Sequence, residues 1–289
     1  MKLAFSTIAC PEWTLSRVAE AAEGLDYSGV ELRTFGTGST SVASDPALTD
    51  PAKVLDVMAS RGIAIASLAS SVRFDEPIFP PVIGRIFGDN EKSVRACKSI
   101  VDLAAQVECP SVRVFGFALQ GGESRAALVR RVVERLTLAA ATARHKNVRI
   151  LLESGGAFTR VSELCEVIDR VGSDRLGVAY SVALAHFAGE DASAGLDVLL
   201  DRYGDDRVCV KLRDYHAGDQ TPLGAGDVPV EAIVRRLADR RFAGWSVVEW
   251  DRLWEAPEID AEAALRDAAE HIARWSARAR IAPGRLAAV

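Results

Sequence analysis

The chain has 289 residues, 49% of them hydrophobic and 26% charged, with a formal net charge of −5. That is enough apolar material for a large core and too little polar bias for a disordered chain. The acidic balance, with arginines interleaved among Asp and Glu, excludes nucleic acid as the main partner, because phosphate binding relies on clustered Lys and Arg that release counterions.

The five cysteines, Cys10, Cys97, Cys109, Cys165 and Cys209, are widely spaced and form no C-x-x-C pair. Neither a disulfide framework nor a zinc ribbon is expected, and a reducing cytoplasm is the expected compartment. The opening run MKLAFSTIA carries one basic residue and is cut off by Cys10-Pro11-Glu12, which argues against a signal sequence. No apolar run reaches the roughly 18 to 20 residues of a membrane span, so no membrane partner is expected.

Taken in order, strands are predicted at Lys2 to Ser6, Gly29 to Arg33, Ile63 to Ser70, Ser111 to Phe117, Val148 to Glu153, Leu176 to Tyr180, Val208 to Leu212 and Trp245 to Trp250. Each is a short apolar segment rich in β-branched residues. Between them, apolar residues at i, i+3, i+4 spacing predict helices at Leu15 to Leu25, Val54 to Ser60, Val94 to Val107, Leu128 to His145, Ser162 to Val171, Ala194 to Tyr203, Val230 to Ala238 and Ala261 to Ala279. Eight alternating units imply parallel strands joined by right-handed crossovers. They favour one α/β domain over residues 1–289, closed as a (β/α)₈ barrel, with an open doubly wound sheet as the structural alternative.

The longest loop-like regions, Thr34 to Asp50 and Val72 to Asn90, follow predicted strands and so belong over the active face of such a barrel, as substrate lids or as passive insertions. Gly224-Ala-Gly-Asp-Val-Pro229 lacks the G-K-[ST] of a phosphate loop and reads as a turn before a helix opened by Pro229. No organic cofactor is expected. The basic, alanine-interleaved segment Arg274 to Arg285 fits a solvated terminal helix.

The stretches Gly29-Val-Glu-Leu-Arg33, Val112-Arg-Val-Phe-Gly116, Leu151-Leu-Glu153, Val210-Lys-Leu-Arg-Asp214, Pro222-Leu-Gly-Ala-Gly-Asp-Val-Pro229 and Gly244-Trp-Ser-Val-Val-Glu-Trp250, in this order, resemble the sugar phosphate isomerase/epimerase family with its xylose-isomerase-like TIM barrel. The resemblance implies a divalent cation, Mn or Mg, held at the ends of strands five to eight by Glu, Asp, His and Glu. Glu153 and Glu249 match two of these positions and are the metal ligands if a metal is bound. The other two depart: Ser181-Val-Ala-Leu184 stands where the family has Asp and, three residues on, His, and Lys211-Leu-Arg-Asp214 stands where it has His-x-Lys-Asp.

A lysine ammonium has three donors and no lone pair, so Lys211 is not an ordinary ligand. It would instead set a positive charge between two carboxylates where the metal would sit. The expectation is therefore that the ammonium replaces the cation. Isomerisation or epimerisation beside a carbonyl needs a base and an electrophile: Glu153 and Glu249 are the candidate bases and Lys211 the candidate electrophile. A structural Glu153–Lys211 ion pair is the bland alternative.

Candidate substrate-binding residues are Ser181, Arg113, Arg213, Asp214, His186 and His216. Arg33 and Arg113 lie in strands, where a guanidinium binds a carboxylate or phosphate bidentately, or needs an acid such as Glu31. Arg213 and Asp214 orient Lys211 or hold substrate hydroxyls, or form a surface salt bridge. His186 and His216 follow strand ends and are placed to replace a missing ligand or to shuttle protons, whereas His145 and His271 fall in helices. Trp13, Trp245 and Trp250 are candidates for an apolar wall against a sugar ring.

The expected function is an isomerase or epimerase acting on a small sugar or polyhydroxy carbonyl compound, with a degraded metal site. The alternatives are a lyase removing water after the same proton abstraction, and a non-catalytic sugar-binding barrel. The three-zinc DNA-repair endonucleases of the same group are set aside, since four histidines and a negative net charge supply neither their ligands nor their electrostatics. The expected partner is a small sugar-like molecule, with a homo-oligomer open.

Overall fold

The computed structural model describes residues 1–34, 50–76, 92–119, 122–255 and 258–279. Eight parallel strands close into a barrel: β1 (Lys2–Ser6), β2 (Gly29–Arg33), β3 (Ala64–Arg73), β4 (Ser111–Phe115), β5 (Arg149–Glu153), β6 (Leu176–Ser181), β7 (Val208–Leu212) and, after a small antiparallel hairpin of β8 (Asp214–His216) and β9 (Asp219–Thr221), β10 (Trp245–Val248). β10 returns to pair with β1, Lys2 opposite Trp245 and Phe5 opposite Val248. The open doubly wound sheet is thereby ruled out.

The surrounding helices are α1 (Leu15–Gly24), α2 (Pro51–Ala59), α3 (Lys92–Gln106), α4 (Arg125–Arg144), α5 (Val161–Val171), α6 (Val182–Phe187), α7 (Ala192–Tyr203), α8 (Val230–Asp239) and α9 (Ala261–Ala279). Their starts follow from local chemistry. Thr14, Ser124 and Asp191 each accept a backbone N–H of the first turn of α1, α4 and α7, and Asp50 caps α2 with Pro51 in the first turn, satisfying amides that have no partner inside the helix. No described helix is long and apolar enough to cross a membrane.

Each predicted strand and helix is present within a few residues. Besides the 3₁₀ turn Thr7–Ala9, the described elements without a predicted counterpart are the short helix α6 and the β8–β9 hairpin. Both are too short for periodicity to reveal, and both sit where strands β6 and β7 end. Of the two long loops, residues 35–49 and 77–91 lie outside the described residues, as do 280–289 of the C-terminal segment. The start of the second loop is strand and turn: β3 runs on to Arg73, and Arg135 of α4, itself buried, donates to the carbonyls of Phe74 and Glu76.

Two cores result. The larger lies between strands and helices and holds most of the Val, Leu, Ile and Phe. The smaller fills the barrel with Ala4, Ala66, Leu151, Ala179, Cys209 and Val247, against Trp245 at the N-terminal end. These side chains are small because eight strands leave an interior only as wide as the residues that fill it. Gly29 is required beside this layer: a Cβ there would lie 2.7 Å from both the Ala64 carbonyl oxygen and the Trp245 ring.

Candidate active site

Side chains alternate along a strand, so the residue two positions beyond each member of the small inner layer points to the same interior, one layer nearer the C-terminal mouth. Ala4, Leu151, Ala179, Cys209 and Val247 are followed in this way by Ser6, Glu153, Ser181, Lys211 and Glu249, while Glu31 and Arg113 enter from β2 and β4. A register shift between Val30 and Glu31 brings Ser67 of β3 opposite Glu31. The apolar plug is thus roofed by a buried charged layer, at the face where barrels of this architecture carry their chemistry.

Lys211 is at its centre. Its Nζ donates to Glu31 Oε2 at 2.5 Å and to Glu249 Oε1 at 3.1 Å, and its side chain has no solvent exposure. Glu31 Oε2 also accepts from Ser67 Oγ at 2.5 Å, while Glu31 Oε1 is buried with no hydrogen-bond partner. The second oxygen of Glu249 accepts from Arg213 Nε at 2.8 Å, and Arg213 Nη1 lies 3.6 Å from Asp251 Oδ2. Across the mouth, Arg113 Nε is 2.8 Å from Glu153 Oε2 as an ion pair, but off the alignment of a hydrogen bond. Arg113 Nη1 donates to the Ser70 carbonyl at 3.1 Å.

The pairing of Lys211 differs from the expectation drawn from sequence: it lies between Glu31 and Glu249, not between Glu153 and Glu249. Arg113 has the acid it was expected to need, and that acid is Glu153. The reason is geometric. Lys211 and Glu31 are 180 positions apart in sequence and meet only because the closed barrel puts β2 and β7 across a narrow interior.

These surroundings separate the two carboxyl groups. Burial raises the proton affinity of Glu153 above the ordinary carboxylate value, and Arg113 offsets only part of this. Burial opposes ionisation of Glu249 as well, but Arg213 and Lys211 outweigh it and bring the carboxyl down to about 2. At Lys211 burial favours loss of the proton, yet Glu249 and Glu31 reverse this and hold the ammonium charged. The mouth therefore carries one carboxyl with raised proton affinity, one permanent carboxylate and one permanent ammonium.

The remaining candidates fall outside this cluster to differing degrees. Ser181 Oγ accepts from Leu184 N at 3.3 Å and caps α6. Asp214 is committed to the chain: its carboxylate accepts from the amides of Tyr215, Gly224, Gly226 and Val228 at 2.8–3.1 Å. A Cβ on Gly226 would lie 2.2 Å from Asp214 Oδ1, so the glycine-rich turn is shaped by a carboxylate it encloses. Asp214 is thus an organiser of the turn. His216 is exposed and pairs with Asp227 at 3.1 Å, and His186 lies near the end of α6 against Phe187. Neither reaches the Lys211 cluster through a described contact.

Of the tryptophans, Trp245 closes the opposite end of the barrel, Trp250 is buried with its indole N–H directed to the Ile259 carbonyl, and Trp13 stacks on Arg17. The tryptophan at the mouth is Trp254, 65% exposed, with the Arg33 guanidinium 5.2 Å from its ring centre. Sequence reasoning passed over it. The available signal was Asp251, placed directly after the last strand, whose Oδ1 accepts from Leu253 N and Trp254 N and fixes the turn.

The residues do not fit a cation of the kind the resemblance implies. The Lys211 ammonium stands between two of the carboxylates, Ser181 is a helix cap, and among the described residues no three His, Cys, Asp or Glu side chains converge as a metal ion requires.

Solved structures similar to this one share the whole architecture. The probable 3-DHS dehydratase AsbF from Bacillus anthracis, involved in petrobactin synthesis, aligns with a TM-score of 0.75 at 15% identity over 94% of this chain and 99% of its own. The IOLI protein with a zinc atom aligns at 0.76, 17% identity, 96% and 99%. An L-ribulose 3-epimerase aligns at 0.75, 16% identity, 96% and 95%. At such identities the likeness is one of fold. No curated protein sequence matches the chain. The family model of the xylose isomerase-like TIM barrel matches residues 19–275. With its closed barrel and charged mouth, the chain therefore belongs to the xylose isomerase-like TIM barrel family.

Proposed function

We propose that this protein is an isomerase or epimerase of a small polyhydroxy carbonyl compound, abstracting the proton next to the carbonyl with the Lys211 ammonium in the place of a metal ion. One observation carries the reading: a fully buried ammonium bridges Glu31 and Glu249 at the centre of the catalytic face. Removing a proton from carbon builds negative charge on the neighbouring oxygens, and a preoriented cation in a water-poor site stabilises that charge strongly. The sugar epimerase and dehydratase names among the structural neighbours support the reaction class.

Within this reading the two glutamates divide the work unequally. Both oxygens of Glu249 are held by cations, and a carboxylate with a proton affinity near 2 is a weak base. Glu153 has one cation beside it, retains some solvent contact at 13% exposure and binds a proton more readily. Glu153 is therefore the proton carrier, and Glu249 fixes Lys211 and Arg213. A single carrier moves the proton along one face of the planar enediol, the geometry of aldose–ketose interconversion. The same Glu153, once protonated, serves a departing hydroxyl, which is the lyase variant of the reaction.

The test is exchange in D₂O. Chelator-treated protein is incubated with a panel of ketoses, aldoses and keto acids, and deuterium next to the carbonyl is read by NMR. Exchange that survives chelation and disappears in Glu153→Gln is the expected result. Exchange that appears only after Mn²⁺ or Mg²⁺ is added back would overturn the role of Lys211. A product lighter by one water identifies the lyase. Binding without exchange across the panel would leave a non-catalytic sugar-binding barrel.

A further inference from the structure

Among the described residues four cations line the mouth, and three of them have acids: Lys211 has Glu31 and Glu249, Arg213 has Glu249 and Asp251, and Arg113 has Glu153. Arg33 is the exception. It follows Glu31 by two positions on β2 and so points into the same interior, nearer the mouth, and it is 7% exposed. Its hydrogen-bond partners among the described residues are neutral: Nη1 donates to the carbonyls of Ala69 and Ser70 at 3.1 and 3.0 Å, and Nη2 to Ser71 Oγ at 2.7 Å. No described carboxylate lies within ion-pair distance.

A buried cation without a counterion is costly and calls for a partner. The cost here is increased by Arg113, which donates to the same Ser70 carbonyl, so that two guanidinium groups converge on one acceptor. Burial and the neighbouring Arg113 lower the Arg33 proton affinity to about 10, which still leaves it charged at neutral pH. Three of the five guanidinium N–H groups are used by the bonds given above, and the other two, on Nε and Nη2, have no acceptor among the described residues. Nε and Nη2 share the side-on edge of the guanidinium, the edge that takes two oxygens of an oxyanion. Trp254 on one side and the β3 carbonyls on the other hold the group flat.

We infer that Arg33 is the specificity-determining residue of this site and that the substrate carries an anionic group, a carboxylate or a phosphate, which docks on Arg33 while its carbonyl end faces Lys211. The inference rests on the proposed proton-abstracting site for the carbonyl end, but the anion contact itself is a matter of binding. It narrows the substrate class from neutral sugars to sugar acids or sugar phosphates.

The probes are D-fructose, D-fructuronate and D-fructose 6-phosphate, which differ at one terminal carbon as hydroxymethyl, carboxylate and phosphate. Binding is measured by ligand-observed NMR titration to tens of millimolar with the wild type, Arg33→Gln and Arg33→Lys. At least one anionic probe is expected to bind about tenfold or more tightly than D-fructose to the wild type, and which one does so separates sugar acid from sugar phosphate. That preference is expected to fall to within about twofold in Arg33→Gln, and at least about threefold in Arg33→Lys, which keeps the charge but loses the planar fork.

Equal binding of all three probes to the wild type, no binding of either anion, or a preference that persists in Arg33→Gln overturns the inference. Should Arg33→Gln fail to fold, an undiminished preference in Arg33→Lys overturns it equally. Deuterium exchange is scored separately. Arg33-dependent anion binding without exchange defeats only the proton-abstraction reading, and exchange on D-fructose without anion preference defeats only the assignment of Arg33.

Discussion

The two sides of the barrel mouth use the same residue types to different ends. On the β7–β10 side, Glu249 is held by Lys211 and Arg213 through both oxygens and is a fixed charge. On the β4–β5 side, Glu153 faces a single arginine in imperfect alignment, keeps partial access to solvent and binds a proton more readily. A carboxylate's role is thus set by how many of its lone pairs are already committed, not by its being buried at the end of a barrel strand.

The sharpest way to break this comparison is to exchange the two carboxylates for amides. Glu153→Gln is expected to lower kcat by about 10²–10⁴-fold with the fold retained, the usual scale for a lost general base, measured as the rate of deuterium exchange. A variant that kept its rate would move the proton carrier elsewhere. Lys211→Met comes next. It leaves Glu31 and Glu249 buried with one cation fewer, and a stability loss of about 3–5 kcal/mol is expected in denaturant melts. Exchange is expected to be slower by about 10²–10³-fold, the effect of removing one preoriented donor.

The pH dependence of stability sharpens the comparison further, because the two carboxyls act with opposite sign. The Glu249 carboxyl is depressed from 4.5 to about 2 on folding, so its contribution is fully present above 4.5 and is lost as the pH falls through about 2. At about 1.4 kcal/mol per unit, the loss is on the order of 3 kcal/mol. Glu153, whose proton affinity rises on folding, stabilises the fold below its unfolded value and withdraws that support as the pH rises. Urea midpoints at pH 5 and pH 3 are expected to converge in Glu249→Gln relative to wild type. An acid limb unchanged in that variant would assign the dependence to other groups.

The smallest effect is expected at Asp214→Asn, which removes the charge and leaves one acceptor oxygen where two oxygens each accept from two amides. A loss of about 1–3 kcal/mol in the same melts is expected, with exchange reduced severalfold at most.

The barrel was readable because its evidence is local. Eight β-branched runs alternate with amphipathic segments, and each was found within a few residues of its true bounds. Glu153, Lys211 and Glu249 were singled out through the family resemblance, and strand parity agrees with it in pointing them to the interior near the mouth. Their partners were not readable. Lys211 meets Glu31 only when β10 closes on β1 and sets the interior width, a property of no segment of sequence. For Arg113 only Glu31 was named as an example of the acid it needs, and the register of β4 against β5, with Arg113 opposite Leu151, brings Glu153 within reach. The hydrogen bonds of Asp214 were not readable, because a carboxylate just beyond a strand end is equally suited to binding a substrate and to tying a turn. The turn it ties, through Gly224, Gly226 and Val228, lies 10–14 residues further on.

That tie has a consequence for modifying the protein. Asp214 anchors the segment that leaves β7 at both its ends, while Gln220 exchanges hydrogen bonds with the backbone of Asp251 across to the strand β10 side. The hairpin is therefore a clamped bracket whose only slack is its exposed tip at Ala217-Gly218, both in the left-handed backbone region. A reporter or affinity handle inserted at the tip would be carried beside the mouth with the bracket intact, whereas a change at Gly226 would unfasten the segment and the Arg213 arm that rises from it.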